Sequence, residues 1–238
     1  QAEIHRHEAR MRSLINILQY QTESMQGFLD YALDEAIKLS ESELGYIYFY
    51  DEASQQLNLY AWSKAAREQC EICERQTTYH LADTGIWGEA IRQRKPLILN
   101  DFQAEHPLKK GYPEGHVQLT RFMTGPVFND GQIVAVFGVA NKPTDYTDSD
   151  LLQLTLLMDS VWKSIERLQA EEALRESQER FSKAFNNQPT AMVIFDLTTG
   201  ERLEVNDSYV RMTGYSREEL LTTDINALEL FVDPEQKR

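Results

Sequence analysis

The stretch from Thr147 to Phe185 most restricts what this chain can become. After the tetrad TDSD, Leu154, Met158, Val161, Ile165 and Leu168 recur at steps of four, three, four and three, the spacing of an a/d seam on one side of a helix. The seam resumes at Leu174, Gln178, Phe181 and Phe185, one residue short of the heptad position expected at 175, so the periodicity shifts near residue 170. Thr147 and Asp150 fit a capping box, and Asp148 and Asp150 place negative charge where the helix dipole is positive. The spacing therefore predicts one helix of roughly 35 to 40 residues, longer than a globular layer uses, and hence pairing with a partner along it.

Residues 1–39 also carry helical spacing. Ile4, Met11, Leu18, Met25 and Ala32 repeat every seven, with Leu14 and Phe28 at intervening positions and His7, Gln21 and Glu35 interrupting that second row. One helix that leaves a coiled coil and docks on a core through Leu29, Leu33 and Ile37 is the expectation. Between the two helical ends the period drops to two. GYIYFY (45–50) and LNLYAW (57–62) alternate around a polar turn, PLILND (96–101) is a short apolar strand, and LTRFMTGPVF (119–128) and QIVAVFGVA (132–140) flank Asn-Asp-Gly. TGIWGEAIRQR (84–94) reads as a helix. Five or six antiparallel strands flanked by helices make an α+β layer protein. The last segment holds a hairpin around LTTG and two short helices beginning at Asn206 and after Ser216, which is the front half of a domain.

The net charge of −14 repels phosphate backbones and anionic lipid, which argues against nucleic acid and membrane partners. Arg92, Arg94, Lys95, Lys109, Lys110 and Arg121 form a local basic group, read either as a solvated face or as the seat of one small anion. Cys70 and Cys73 stand as a lone C-x-x-C in a polar stretch, so neither zinc nor a thioredoxin-like pair is indicated, and no metal site is expected. The chain opens in mid-helix without a signal peptide, which predicts a cytoplasmic piece of something longer. No nucleophile and base pair, phosphate loop or catalytic motif is present, so no catalytic residue is assigned.

Several of these residues resemble known families. GVANKPTDYTDSD is similar to the Asn-Lys, aromatic, Asp-Glu signature of GAF domains, with Asn141, Lys142, Tyr146 and Asp150 matching and Leu151 where the signature has Glu. DYALDEAIKLSESELGYIYFYDE, TGIWGEAIRQRKPLILNDFQ and KKGYPEGHV resemble a GAF subfamily of bacterial multidomain sensors. ERFSKAFNNQPTAMVIFD and VNDSYVRMTGYSREEL resemble the beginning of a PAS domain through Asn206, Gly214 and Tyr215. The expected organisation is an N-terminal coiled-coil or linker helix (1–24), a GAF domain (25–168), a helical linker (169–180) and the N-terminal part of a PAS domain (181–238).

The resemblance implies that Lys142 and Asp150 pair with one another, a structural clip formed with Asn141 and Tyr146 rather than a ligand grip. It also implies a pocket between sheet and long loop, for which Trp62, Tyr79, His80, Trp87, Tyr112 and His116 are the candidate lining. Two readings stand: walls for a small planar ligand, or rings that are simply core. A bilin has no Cys-His pair to attach to, haem would need His80 or His116, and the cofactor remains unknown. Implied for the whole is a sensory region, as in sensor histidine kinases, working as a homodimer through its terminal helices. The alternatives are the regulatory region of a diguanylate cyclase or phosphodiesterase, and a ligand-free dimerisation spacer.

Overall fold

The computed structural model describes residues 8, 11–13, 15–17, 19–20, 22, 24–69, 77–109 and 117–223. Two compact units divide the chain, residues 1–168 and 169–238. In chain order the elements are α1 (Met25–Leu39), β1 (Leu44–Asp51), β2 (Gln56–Trp62), α2 (Lys64–Gln69), β3 (Thr78–His80), α3 (Glu89–Arg92), β4 (Leu97–Leu99), β5 (Phe122–Asn129), β6 (Gln132–Ala140), α4 (Asp148–Asn186), β7 (Val193–Phe195), β8 (Arg202–Val205), α5 (Asp207–Thr213) and α6 (Arg217–Thr222). Short 3-10 turns at Leu81–Asp83 and Ile86–Gly88 precede α3.

The first unit is an α+β layer built on a six-stranded sheet ordered β3-β2-β1-β6-β5-β4, with every neighbouring pair antiparallel. Alternation in the strands sorts side chains to two faces. Ile47, Ala61, Met123, Val127, Ala135, Phe137 and Val139 face one way and pack against Phe28, Leu29, Ala32, Leu33 and Ala36 of α1 and Leu154, Leu157, Met158, Val161 and Ile165 of α4. Tyr48, Tyr50, Leu57 and Val136 face the other way, toward Leu81, Ala90 and Ile91. The α+β class and the strand pairing agree with the alternation in the sequence.

Two features differ from the sequence expectation, each for a physical reason. Among residues 8–39 the helix is not continuous: residues 11–13 and 15–17 are helical, Tyr20, Thr22 and Ser24 are not, and Ser24 starts α1 afresh by accepting from the Gly27 N–H. Ile17 then buries in the helix-side core, the Tyr20 ring stacks on Tyr31 at 4.0 Å, and the Ser13 hydroxyl donates to Glu35 at 2.9 Å. A side-chain cap and these three contacts outweigh a heptad stripe whose second row is polar. Second, Leu154, Met158, Val161 and Ile165 of the seam on α4 are at most 2% exposed, used by the chain's own sheet. Ile4, Leu14, Leu18 and Gln21 lie outside the described residues, as do Cys70 and Cys73.

The second unit pairs β7 with β8 and buries Val205 and Leu220 against Val193, Tyr209, Val210, Tyr215 and Leu221. Asn206 is wholly buried and organises it. Its carboxamide oxygen accepts from the N–H groups of Met192 and Tyr209, both at 2.9 Å, and its nitrogen donates to the carbonyls of Phe185 and Thr190 at 3.1 and 2.9 Å. Gly214 ends α5 in a left-handed conformation, φ 78°, and Ser216 with Glu219 forms a full capping box on α6.

Gly138 on β6 is opposite Tyr46 on β1, and a Cβ there would lie 2.3 Å from the tyrosine Cζ. The Tyr46 ring thus lies flat over β6 only because position 138 has no side chain. Thr124 donates its single hydroxyl proton to the Phe137 carbonyl at 2.7 Å, so at 3.1 Å the Tyr46 hydroxyl must be the donor to Thr124. Gly138→Ala is expected to destabilise the first unit by about 3 kcal/mol in urea unfolding. Tyr46→Phe, which removes one neutral hydrogen bond, should cost only about 1 kcal/mol; equal effects would contradict the packing argument.

Candidate functional site

Two places on the first unit combine residues singled out by the sequence. On the loop side of the sheet, Tyr46 and Tyr48 project from β1, and Trp62 on β2 is opposite Tyr46 in the ladder. Trp87 is brought over them by its 3-10 turn, and the Arg92 guanidinium holds the stretch that leads into it: Nη2 donates to the Leu81 carbonyl at 2.6 Å and to the Thr84 carbonyl and hydroxyl at 2.8 Å, and Nη1 to the Gly85 carbonyl at 3.3 Å. The rings then meet edge to face or tilted, with centroids 5.2 Å apart for Tyr48–Trp87, 5.6 Å for Tyr79–Trp87, 6.1 Å for Tyr48–Tyr79 and 6.3 Å for Tyr46–Trp87, all within the range of favourable aromatic pairs. Burial pushes the hydroxyls of Tyr46 and Tyr48 well above the ordinary tyrosine range, so both stay neutral.

Of the six candidate lining residues, Trp62, Tyr79 and Trp87 come to this face. His80 is exposed on β3, and Tyr112 and His116 lie outside the described residues. Sequence reasoning missed Tyr46, Tyr48 and Thr124. The Tyr46, Tyr48, Tyr50 alternation was visible, but not which of its two faces meets the loops. The basic group does not converge on an anion seat among the described residues. Arg92 is spent on its turn, Arg94 bonds Glu52 and the Gly131 carbonyl, Arg121 pairs with Asp145, and Lys109 bonds the Phe102 and Ala104 carbonyls. No group of three or more His, Cys, Asp or Glu among the described residues is placed to hold a metal ion.

The second place is the passage from β6 to α4. Asn141 takes a left-handed conformation, φ 63°, its side-chain oxygen accepting from the Thr120 N–H at 2.9 Å and its nitrogen donating to the Gln118 carbonyl at 3.1 Å. The chain next passes Lys142, whose Nζ donates to Asp150 Oδ1 at 2.8 Å with both side chains about nine-tenths buried. The other oxygen, Asp150 Oδ2, accepts from the Thr147 N–H at 2.8 Å and hydroxyl at 2.9 Å, and the Asp150 N–H returns a bond to Thr147 Oγ1 at 3.3 Å. Tyr146 is 3% exposed and donates to or accepts from the Ser42 hydroxyl at 2.7 Å. Its backbone is bracketed by Asn100, which accepts from the Tyr146 N–H at 2.7 Å and donates to its carbonyl at 3.0 Å.

Burial raises the Asp150 carboxyl, but the Lys142 ammonium and the Thr147 donors outweigh it and hold the acid below its ordinary range. Burial takes the Tyr146 hydroxyl up to about 12. Asn100, missed in the sequence, has no signal beyond ending a short apolar strand.

Residues 22–166 match the GAF domain model and residues 179–237 match a PAS domain model. The chain belongs to the GAF domain family. Its GAF unit is followed by a PAS-type region. Solved structures of similar fold include the GAF domain of a phosphoenolpyruvate-protein phosphotransferase from Coxiella burnetii, TM-score 0.58 and 13% identical, covering 71% of this chain and 98% of that one. The GAF domain of the Acinetobacter phosphoenolpyruvate-protein phosphotransferase follows, TM-score 0.55, 19% identical, 68% and 93% covered. These show the fold. A curated relative, the methyl sulfide methyltransferase-associated sensor of Methanosarcina acetivorans, is 46% identical over 176 residues, which is 74% of this chain and 18% of that protein. The GAF chain thus spans under a fifth of that relative.

Lys142→Ala is expected to lower the stability of the GAF unit by about 3 kcal/mol, because it strands a buried carboxylate. Asp150→Asn should also destabilise at neutral pH. Since the native acid lies below its ordinary value, its contribution is present above the ordinary carboxylate range and is lost as pH falls through the depressed native value. The gap between wild type and Asp150→Asn should therefore close on acidification; a gap independent of pH would contradict the ion pair.

Proposed function

We propose that this chain is the sensory region of a two-component sensor histidine kinase, acting in the cytoplasm as a homodimer. In this reading, occupancy or rearrangement of the aromatic loop side alters the sheet, and α4 carries the change onward. The residues Asn141, Lys142, Tyr146 and Asp150 act as a mechanical clip and do not contact a ligand. What supports the reading is the construction of α4. Its first turn is tied to the end of β6 by Lys142–Asp150, its next turns bury Leu154 to Ile165 on the sheet, and residues 169–184 are exposed throughout.

A helix bare on every side needs internal support, and Arg175–Glu172, Arg175–Glu179, Arg180–Glu176 and Lys183–Glu179 supply i,i+3 and i,i+4 pairs. Leu174 and Phe181, two turns apart, are 59% and 47% exposed, an apolar stripe suited to the same stripe on a second copy. The relative named as a sensor supports the sensory half of the reading. A second reading, a ligand-free dimerisation spacer, draws on the loop-side rings, which pack on one another at 5.2–6.3 Å.

Sedimentation decides the dimer: wild type is expected to associate, and Leu174→Glu with Phe181→Glu to weaken association by at least about tenfold. A wild-type monomer at high concentration would overturn it. In the full-length protein, one residue inserted after Ala170, where the two seam registers meet, should change autophosphorylation sharply. Unchanged autophosphorylation would refute transmission through α4, and synthesis of a cyclic dinucleotide in place of phosphotransfer would move the parent to the cyclase class.

A further inference from the structure

The first unit contains a cavity that shares no residue with the aromatic cluster or the clip. It is a partly open cleft of about 360 Å³ between the outer side of α4 and the far end of β5, lined by Pro96, Pro126, Phe128, Thr155, Asp159 and Trp162 together with Asn129, Asp130 and Lys163. It exists because β4 is short. Its three residues pair with β5 only from Phe122 to Thr124, so the rest of that edge has no strand beside it among the described residues, and Pro126 there has no N–H to offer a further strand. Thr155, Asp159 and Trp162 follow at four and three residues along α4 and so share one helix face. Asn129 donates to Glu166 at 2.6 Å, tying the end of β5 to the same helix.

One of its polar groups is only partly provided for by the fold. Among the described residues Asp159 is half-buried and makes no hydrogen bond or close salt bridge, the nearby charge of Lys163 one turn on being its electrostatic neighbour. The walls are two prolines, Phe128 and an indole, and the charges on the lining are two carboxylates, Asp130 and Asp159, against the ammonium of Lys163. Phe128 already presents its face to a cation, the Arg94 guanidinium at 5.4 Å. An apolar-walled cavity carrying a polar group is the usual form of a small-molecule site, and a partly buried carboxylate with no direct hydrogen bond or salt bridge calls for a cation.

We propose that this cavity is a binding site for a small organic cation, a protonated amine on a compact apolar body, with Asp159 as its counter-ion and Pro96, Pro126 and Phe128 as its walls. Burial holds the Asp159 acid above its ordinary range and the Lys163 charge only partly opposes this, so an amine would relieve a cost the fold now carries. Bound there, the cation would bridge the edge of β5 to α4 a few turns beyond the clip. The inference stands whether or not the dimeric kinase reading does, since it needs only the first unit.

The test uses the whole chain carrying 5-fluorotryptophan, with the Trp162 resonance assigned by Trp162→Phe and benzylamine as probe, against benzyl alcohol and benzoate. Benzylamine should shift the Trp162 signal saturably and bind at least about tenfold more tightly than either control, the equivalent of about 1.4 kcal/mol. Asp159→Asn should abolish that preference with an unchanged circular dichroism spectrum, and Lys163→Ala should strengthen benzylamine about twofold by removing the competing charge. The proposal fails if benzylamine leaves Trp162 unmoved, if benzyl alcohol or benzoate binds as well as the amine, or if Asp159→Asn keeps the preference for the amine.

Discussion

Asp150 is where the architecture of the first unit is decided. One carboxylate oxygen meets Lys142 at the end of the last strand and the other closes the cap on Thr147 at the start of the 39-residue helix. Strand end and helix start are thereby joined through a single side chain, the seven-residue loop 141–147 folding to suit. Taking a carboxylate out of water is unfavourable unless its lone pairs are met, and here Lys142 and the two Thr147 donors meet them. Asn141 in its left-handed conformation and Tyr146 between Asn100 and Ser42 set the path that makes the meeting possible.

From that junction the sheet acquires two distinct faces. The helix face is closed by α1 and α4 around aliphatic side chains, and rotation of α4 there would disturb Leu154, Leu157, Met158, Val161 and Ile165 together. The loop face is aromatic, and its order rests on small structural permissions: no side chain at Gly138 under Tyr46, and a guanidinium holding the stretch that leads into the turn of Trp87. Among the described residues the loop face presents stacking surfaces and neutral hydroxyl hydrogen bonding, which suits recognition. Among the described residues no helix is long and apolar enough to cross a membrane.

Much of this was legible in the residues. Period-two alternation placed β1, β2, β5 and β6, the Thr147–Asp150 spacing marked the start of α4, and the Asn206 and Ser216 caps located the helices of the second unit. Length-poor elements were not legible: β3 has three residues held by backbone pairing to β2, and α3 is a four-residue turn that periodicity enlarged to eleven. Heptad spacing also cannot say whether a stripe meets a partner or its own sheet. Leu154 to Ile165 met the sheet, and the residue stripe of 1–39 was broken by the cap at Ser24. Of the site, the aromatic residues could be named but not sorted to a face, since alternation gives two faces and the loops choose between them.

Hydrogen exchange on the native state measures the central claim, that the Lys142–Asp150 pair fastens α4 to the sheet. In Lys142→Ala the amides of the first turns of α4, Leu151 to Leu154, should exchange at least about tenfold faster while those of β1 and β6 keep their protection. Equal protection of those turns in wild type and variant would mean that packing alone seats the helix, and that the ion pair fastens nothing.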